Sequence, residues 1–317
     1  MLFIILSVTF LYCILIVVFI FGFENVKIFS GKSLVEKNEF SILIPFRNEA
    51  KNLPNLLHSL SELNYPKHVF EIILIDDASK DNSVELITNF KTHNRKLNIS
   101  IISNQRTSNS PKKDAITSAV LVSKYDWILT TDADCIVPNK WLQILDAFIQ
   151  TKKPKMIVCP VTYPFSKTIF QNFQLLDFLS LQSATISGFG IQHPFLCNGA
   201  NLVYQKELFN RVNGFVGNDN IASGDDIFLM EKALKIFPKQ VLYLKSRDAL
   251  VFTKPQDTIN DLIQQRVRWA AKTSSYTNAF GKLVGILVLA MNAVVISSIL
   301  LTIIHALNVS ILILIFS

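Results

Sequence analysis

The run from Leu2 to Phe21 carries no charged residue, and it constrains this chain more than any other feature. At about 1.5 Å of rise per residue, a helix of that length crosses a hydrocarbon core roughly 30 Å thick. It lacks the basic leading segment and small-residue cleavage site of a secretory signal, so a retained transmembrane anchor is expected over 1–23. Lys27, Lys32 and Lys37 follow the run and nothing basic precedes it, which puts the C-terminal side in the cytosol by the positive-inside rule. A second apolar run, Leu283 to Ile304, starts beside Lys282 and is also long enough to span. Val309 to Ser317 is apolar but too short to cross, so 283–317 reads as a C-terminal membrane region. The mean hydropathy of +0.35 comes from these two ends. The segment 38–275 is ordinary globular sequence, divisible into halves at 38–150 and 151–275.

The first half repeats one theme. Phe40 to Ile44 is a compact β-type run, stopped by Pro45 and followed by Arg47-Asn48-Glu49 and a helical pattern through Leu53, Leu56, Leu57 and Leu60. Glu71 to Ile75 ends in Asp76-Asp77, with Ser79, Asp81 and Ser83 opening the next helix. Ile99 to Ile102 leads to Lys112-Lys113 and an apolar helix, and Trp127 to Leu129 is the fourth run. Four strand–loop–helix units predict an α/β fold with a mostly parallel nucleotide-binding sheet flanked by helices, its polar loops gathered at one edge. Neither a G-x-G-x-x-G nor a Walker loop is present.

The fourth run ends in Asp132-Ala133-Asp134. Two acids this close raise each other's pKa unless a cation sits between them, and hard oxygen ligands suit Mg²⁺ or Mn²⁺ completed by substrate phosphates. A solvated turn would carry the same residues. Likewise Asp76-Asp77 read alone as helix caps, and the lysines as a solvated pair. Their convergence on one sheet edge is what points to a nucleoside-diphosphate site: an acid for base or ribose, lysines for phosphate, and paired acids for metal.

The second half is less regular. Met156 to Val161 reads as a strand, and Phe170 to Leu181 as a core-facing helix, with a helix grazing the membrane surface as the alternative. Leu196 to Leu202 centres on Gly199, where backbone comes close to a ligand or simply turns. Asp225-Asp226 precede a helix; they serve as caps or supply a general base. Gln265, Arg266, Arg268 and Trp269, followed by Lys272, combine cations and an indole just before an apolar span, as interfacial anchoring alone would also require.

The net charge of +7 comes with no nucleic-acid-binding motif, so no nucleic-acid partner is expected; a position against anionic lipid accounts for it. The four cysteines and five histidines are scattered, without disulfide-framework or zinc spacing.

Seven motifs, IPFRNEA, IDDAS, the lysine pair, TDADC, CNGAN, SGDD and QQRVRW, occur in order between Phe40 and Lys272. Together they resemble the family-2 inverting glycosyltransferases, in the membrane-anchored branch related to processive polysaccharide synthases. The resemblance implies a GT-A fold in a bacterial cell membrane, with a nucleotide-sugar donor and a lipid-linked or glycan acceptor. By it, Asp77 contacts the nucleobase, Lys112 the nucleotide, Asp134 the metal with Asp132 beside it, and Asp226 is the base with Asp225 as its neighbour. Pro45, Asn48, Glu49, Asp76, Lys113, Asp132 and Asn201 join the donor site on the same motifs. Gln265, Arg268 and Trp269 fall near diphosphate and acceptor. UDP is adopted as the commonest donor nucleotide of the family. The chain departs from relatives in having Asp-Asp where Glu-Asp is frequent, and in showing one full span after the globular domain, which favours transfer to a membrane-proximal acceptor over polymer secretion. Transfer to polyprenyl phosphate and a non-catalytic nucleotide-sugar-binding subunit are the competing expectations.

Overall fold

In the computed structural model, residues 2–316 are described except 32–34, 219–220, 222 and 274. The side chains of Leu2, Lys272, Thr273 and 304–316 are not described either. Lys32, the Lys272 side chain and Ser317 therefore lie outside the described residues. The chain opens with helix α1 (Leu2–Asn25). Then follow β1 (Phe40–Phe46), α2 (Leu53–Ser61), β2 (Phe70–Asp76), α3 (Ser83–His93), β3 (Ile99–Ser103), α4 (Pro111–Val122), β4 (Trp127–Thr130) and α5 (Trp141–Lys152). The second half supplies β5 (Met156–Val158), β6 (Val161–Thr162), α6 (Ile169–Gly190), β7 (Leu202–Gln205), α7 (Lys206–Arg211), α8 (Asp225–Ile236), β8 (Val241–Tyr243), β9 (Val251–Phe252), α9 (Ile259–Thr273) and α10 (Ala279–Phe316).

One seven-stranded sheet, ordered β3-β2-β1-β4-β7-β5-β8, runs through both halves. The strands read as continuous apolar runs because both faces are covered. Phe40, Ile42 and Ile44 of β1 pack with α2 and α5 on one side; Leu43 packs with α4 on the other. Burying each such side chain contributes about 1.5–3 kcal/mol. β1 pairs in parallel with β2 and with β4, so the chain leaves β1 towards one side and returns on the other. Ligands bind at such switch points, outside the carboxyl ends of the strands.

β7 alone breaks the parallel order, pairing antiparallel with both β4 and β5. Thr130, the last residue of β4, therefore lies opposite Leu202, the first residue of β7. This brings the loop before β7 to the same edge as Asp132 and Asp134. The expected single strand over 156–161 is instead two short ones in different sheets, because Pro160 cannot donate to a ladder and the chain turns there.

Among the described residues two helices are long and apolar enough to cross a membrane: Phe3–Asn25, mean hydropathy 3.0, and Ala279–Ile303, mean hydropathy 2.5. Beyond the second apolar run, α10 continues through Val309 to Phe316. α6 is longer than its sequence pattern implied. It buries Phe178 and Ile186 but exposes Ile169, Phe173 and Leu176, so it is a core helix with an uncovered apolar flank. Its last turn meets α1 at Gly22 and Gly190, where a Cβ on Gly190 would lie 1.7 Å from the Gly22 carbonyl oxygen, and Ser187 Oγ donates to the Phe19 carbonyl. The first apolar helix is thus packed directly on a wall of the site described next.

Candidate active site

Two cavities meet at the sheet edge. The first, about 410 Å³, lies outside β1, β2 and β4 and is lined by Pro45, Arg47, Glu49 and Asp77 among others. The second, about 450 Å³, is enclosed by α6, α8, α9 and the loop before β7. Lys112, Asp132 and Asp134 line both.

Asp77, just past β2, accepts two hydrogen bonds of 2.6 Å from Arg106 and one of 2.7 Å from Asn104, with Arg47 at 3.7 Å. Burial pushes its carboxyl up, but these hydrogen bonds and charges outweigh burial and hold it below the usual carboxylate range. Asp76 and Asn48 do not line the cavity. Asp76 accepts from the Ser79 amide; Asn48, at φ 55°, accepts from the Lys80 amide and donates its own N–H to Ser79 Oγ. They stitch the β1 and β2 loops together, a supporting role in place of the expected donor contact. Glu49 accepts from Asn52 Nδ2 and keeps its place in the lining.

The lysine pair divides. Lys112 Nζ sits 2.6 Å from Asp132 and 3.7 Å from Asp225. Burial alone would lower this lysine, yet Asp132 and Asp225 outweigh it and hold the ammonium well above the ordinary range. Lys113, about 100° further round α4, points into the protein. Its Nζ donates to the carbonyls of Asn218 and Ile221 and lies over the Phe228 ring, so it anchors the segment before α8 rather than a donor phosphate. Asn201 is likewise moved from the donor site to the core. It is fully buried, accepts from Trp141 Nε1, and donates to the carbonyls of Pro160 and Ala249.

Asp134 accepts from Thr253 Oγ1 at 3.1 Å, and burial together with the Asp132 charge pushes it up to about 6. A carboxyl strained in this way beside a second hard oxygen donor fits a divalent cation. Among the described residues no third His, Cys, Asp or Glu joins them into a cage, so these two would leave most of the coordination shell to water and phosphate.

Asp225 and Asp226 open α8 after Gly224, whose φ of 81° turns the chain sharply. Asp226 accepts from the Gly199 amide at 3.0 Å and from the Ile227 amide at 2.8 Å. Gly199 leaves the acids and the lysine close to the backbone: a Cβ there would lie 3.1 Å from Asp225 Oδ2 and 3.6 Å from Lys112 Nζ. On the opposite side α9 contributes Gln265 and Trp269. Tyr163 stacks on Phe178 at 4.5 Å, and Phe178 approaches Trp269 at 6.5 Å, forming an aromatic wall. Arg268 is exposed on α9 and outside both cavities. The cation beside Trp269 is Arg266, 4.3 Å above its ring and paired with Asp177. Arg106, Thr253, Lys254 and Tyr276 were missed by sequence reasoning; each is a single polar residue in a loop, with no spacing that marks it.

The sequence pattern of Glycosyl transferase family 2 matches residues 41–212, and that of Glycosyl transferase family group 2 matches 127–317. The chain belongs to glycosyl transferase family 2. Among similar proteins, the poly-beta-1,6-N-acetyl-D-glucosamine synthase of Staphylococcus epidermidis is 25% identical over 252 residues, covering 76% of this chain and 57% of the synthase. The poly(ribitol-phosphate) beta-N-acetylglucosaminyltransferase TarS of Staphylococcus aureus is 28% identical over 111 residues, 35% of this chain and 19% of TarS. The matched region thus spans less than two thirds of either relative. Of solved structures, S. aureus TarS 1–349 in complex with UDP-GlcNAc superposes with a TM-score of 0.53 at 18% identity, over 69% of this chain and 59% of that one. The mannosyltransferase PcManGT from Pyrobaculum calidifontis, in complex with GDP-Man and Mn²⁺, gives 0.68 at 15% identity, over 96% and 91%. At such identities the likeness carries the fold, which is of GT-A type.

Proposed function

We propose that this family 2 chain transfers a sugar, with inversion, from a UDP-sugar to a hydroxyl of a lipid-linked or glycan acceptor at the cytosolic face of a membrane. The observation that carries the reading is the meeting of two cavities at Lys112, Asp132 and Asp134, with Asp226 lining only the second. A nucleoside diphosphate fits the first cavity, with Asp77 and Glu49 towards the nucleoside and Lys112 at the phosphates. The donor class is supported by the N-acetylglucosamine named in both staphylococcal relatives and by the UDP-GlcNAc bound to the TarS structure.

In the reaction, Asp226 takes the proton of the acceptor hydroxyl. The acceptor oxygen forms the new bond to the anomeric carbon from the face opposite the diphosphate. The bond from that carbon to the phosphate oxygen breaks, and its electron pair leaves with the nucleoside diphosphate. The Gly199 amide keeps Asp226 oriented, and the Lys112 ammonium faces the charge growing on the departing phosphate. A Mg²⁺ or Mn²⁺ held by Asp132 and Asp134, when bound, would neutralise more of that charge.

The apolar flank of α6, with Ile259, Ile263 and Val267 exposed on α9, supports an acceptor that arrives from the membrane surface. The cytosolic assignment expects protease added to intact cells to spare 38–275; external cleavage there overturns it. The full chain in detergent, given labelled UDP-N-acetylglucosamine and extracted membrane lipids, should move label into a lipid or glycan product. Nucleotide-sugar binding without turnover would indicate a non-catalytic subunit, and label on polyprenyl phosphate alone would replace the hydroxyl acceptor.

A further inference from the structure

The connection from α9 to α10 carries a group that the reading above leaves unused. Tyr276 lines the second cavity together with Asp226, its ring edge-on to Phe228 of α8 with centroids 5.4 Å apart. Its hydroxyl is buried and has no hydrogen-bond partner among the described residues. Burial, and the charge of Asp226 after it, push this phenol well above its ordinary pKa, so it stays a neutral O–H donor. Gln265 Oε1, lining the same cavity, is also buried without a partner among the described residues. Buried polar groups left unpaired are costly, and a ligand that pairs them recovers that cost.

One open donor and one open acceptor in a single cavity select a particular chemistry. Hydroxyl groups can answer both, accepting from the phenol and donating to the amide oxygen. A phosphate would satisfy the phenol but set its own oxygens against Gln265 Oε1 and the Asp225–Asp226 pair. An aliphatic group would satisfy neither.

The position of Tyr276 is set from α8. Glu231 is 6% exposed, and its carboxylate accepts from the Thr277 amide at 3.0 and 3.1 Å, the Thr277 hydroxyl at 2.9 Å and the Asn278 amide at 2.9 Å. Asn278 in turn accepts from the Gly281 amide in the first turn of α10 and donates to the Pro194 carbonyl. The helix that carries Asp226 is thereby clamped to the start of the second apolar helix, and Tyr276 lies between them.

We propose that Tyr276 binds the acceptor, its hydroxyl donating to a neutral sugar-type hydroxyl, and that Glu231 is the positioning residue that holds it there. The proposal rests on the reading of the second cavity as the acceptor site. The probes are UDP, a neutral β-linked N-acetylglucosamine oligosaccharide, and undecaprenyl phosphate, titrated against the full chain in detergent by calorimetry. With UDP present, the wild type should bind the oligosaccharide more tightly than undecaprenyl phosphate. Tyr276→Phe should weaken oligosaccharide binding about tenfold, the size of one neutral hydrogen bond, with UDP affinity within twofold and the melting temperature unchanged or higher. Glu231→Gln should show the same split, and the double variant should be no weaker than the worse single one. Equal oligosaccharide affinity in wild type and Tyr276→Phe, parallel loss of UDP binding, no oligosaccharide binding by the wild type, or preference for undecaprenyl phosphate each overturns it. A wrong assignment of the base would show separately, as retained turnover in Asp226→Asn with these binding differences intact.

Discussion

The two cavities share three residues yet are built in opposite ways. On the side proposed for the nucleotide the acids and the loops behind them are held by pairs: Asp77 with Arg106 and Asn104, Asp76 with Ser79, Asn48 with Lys80, and only Asn104 Oδ1 of these groups is left without a partner among the described residues. The partners of Asp77, Asp76 and Asn48 lie within about thirty residues along the chain, on loops between parallel strands. On the side proposed for the acceptor, Gln265 and Tyr276 present atoms unpaired among the described residues, and the walls come from helices that abut the two apolar helices. A preorganised cleft suits a ligand of constant shape, because no rearrangement is needed to receive it. A cavity with open hydrogen-bonding groups is completed by its ligand, and its geometry follows the apolar helices that frame it.

The largest expected effect strikes the residues common to both sides. Chelation of divalent ions should reduce turnover to background, with Mn²⁺ or Mg²⁺ restoring it, and Asp134→Asn should weaken UDP binding together with turnover. Full activity in chelator would remove metal from the shared wall. Next, Asp226→Asn should lower turnover by roughly 10²–10⁴-fold while UDP affinity stays within about twofold, separating the two sides cleanly. If Asp225→Asn shows that pattern instead, the base is one residue earlier. A capping role alone would leave Asp226→Asn fully active, since an amide caps almost as well.

A smaller effect tests how far the nucleotide side is held by its own pairs. Arg106→Ala should lower the melting temperature in detergent at neutral pH and weaken UDP binding. Because the Asp77 carboxyl is held below its usual value of 3.8, the stability it contributes is complete above that pH and disappears as the pH falls through the lower folded-state value. The gap between wild type and variant should therefore be constant from pH 7 to about 4 and close below it. A gap that widens on acidification would show that Arg106 acts on another group. The smallest contrast lies on α9: Trp269→Ala should lose oligosaccharide binding, whereas Arg268→Ala, exposed and outside both cavities, should change turnover less than about threefold. A large loss in Arg268→Ala would mean that α9 rotates when substrate binds.

Much of this was legible in the chain because it is local. Uncharged runs, strand periodicity and acids at strand ends are patterns of near neighbours, so both apolar helices, the parallel half of the sheet and the positions of Asp77, Asp132, Asp134 and Asp226 follow from the sequence read alone. Tertiary structure decided what depends on which way a side chain turns and what reaches it from afar. Lys112 and Lys113 are adjacent in sequence, but helical rotation sends one to the site and the other to the carbonyls of Asn218 and Ile221. Asn201 reads like Gly199 as a loop residue, but the antiparallel entry of β7 between β4 and β5 directs it inward, where three partners from distant segments consume its amide. Thr253 meets Asp134 across 119 residues of chain, and Glu231 meets Thr277 across 46. Contacts at such separations leave no periodicity or spacing in the sequence, because only the packing of strands and helices brings their partners together.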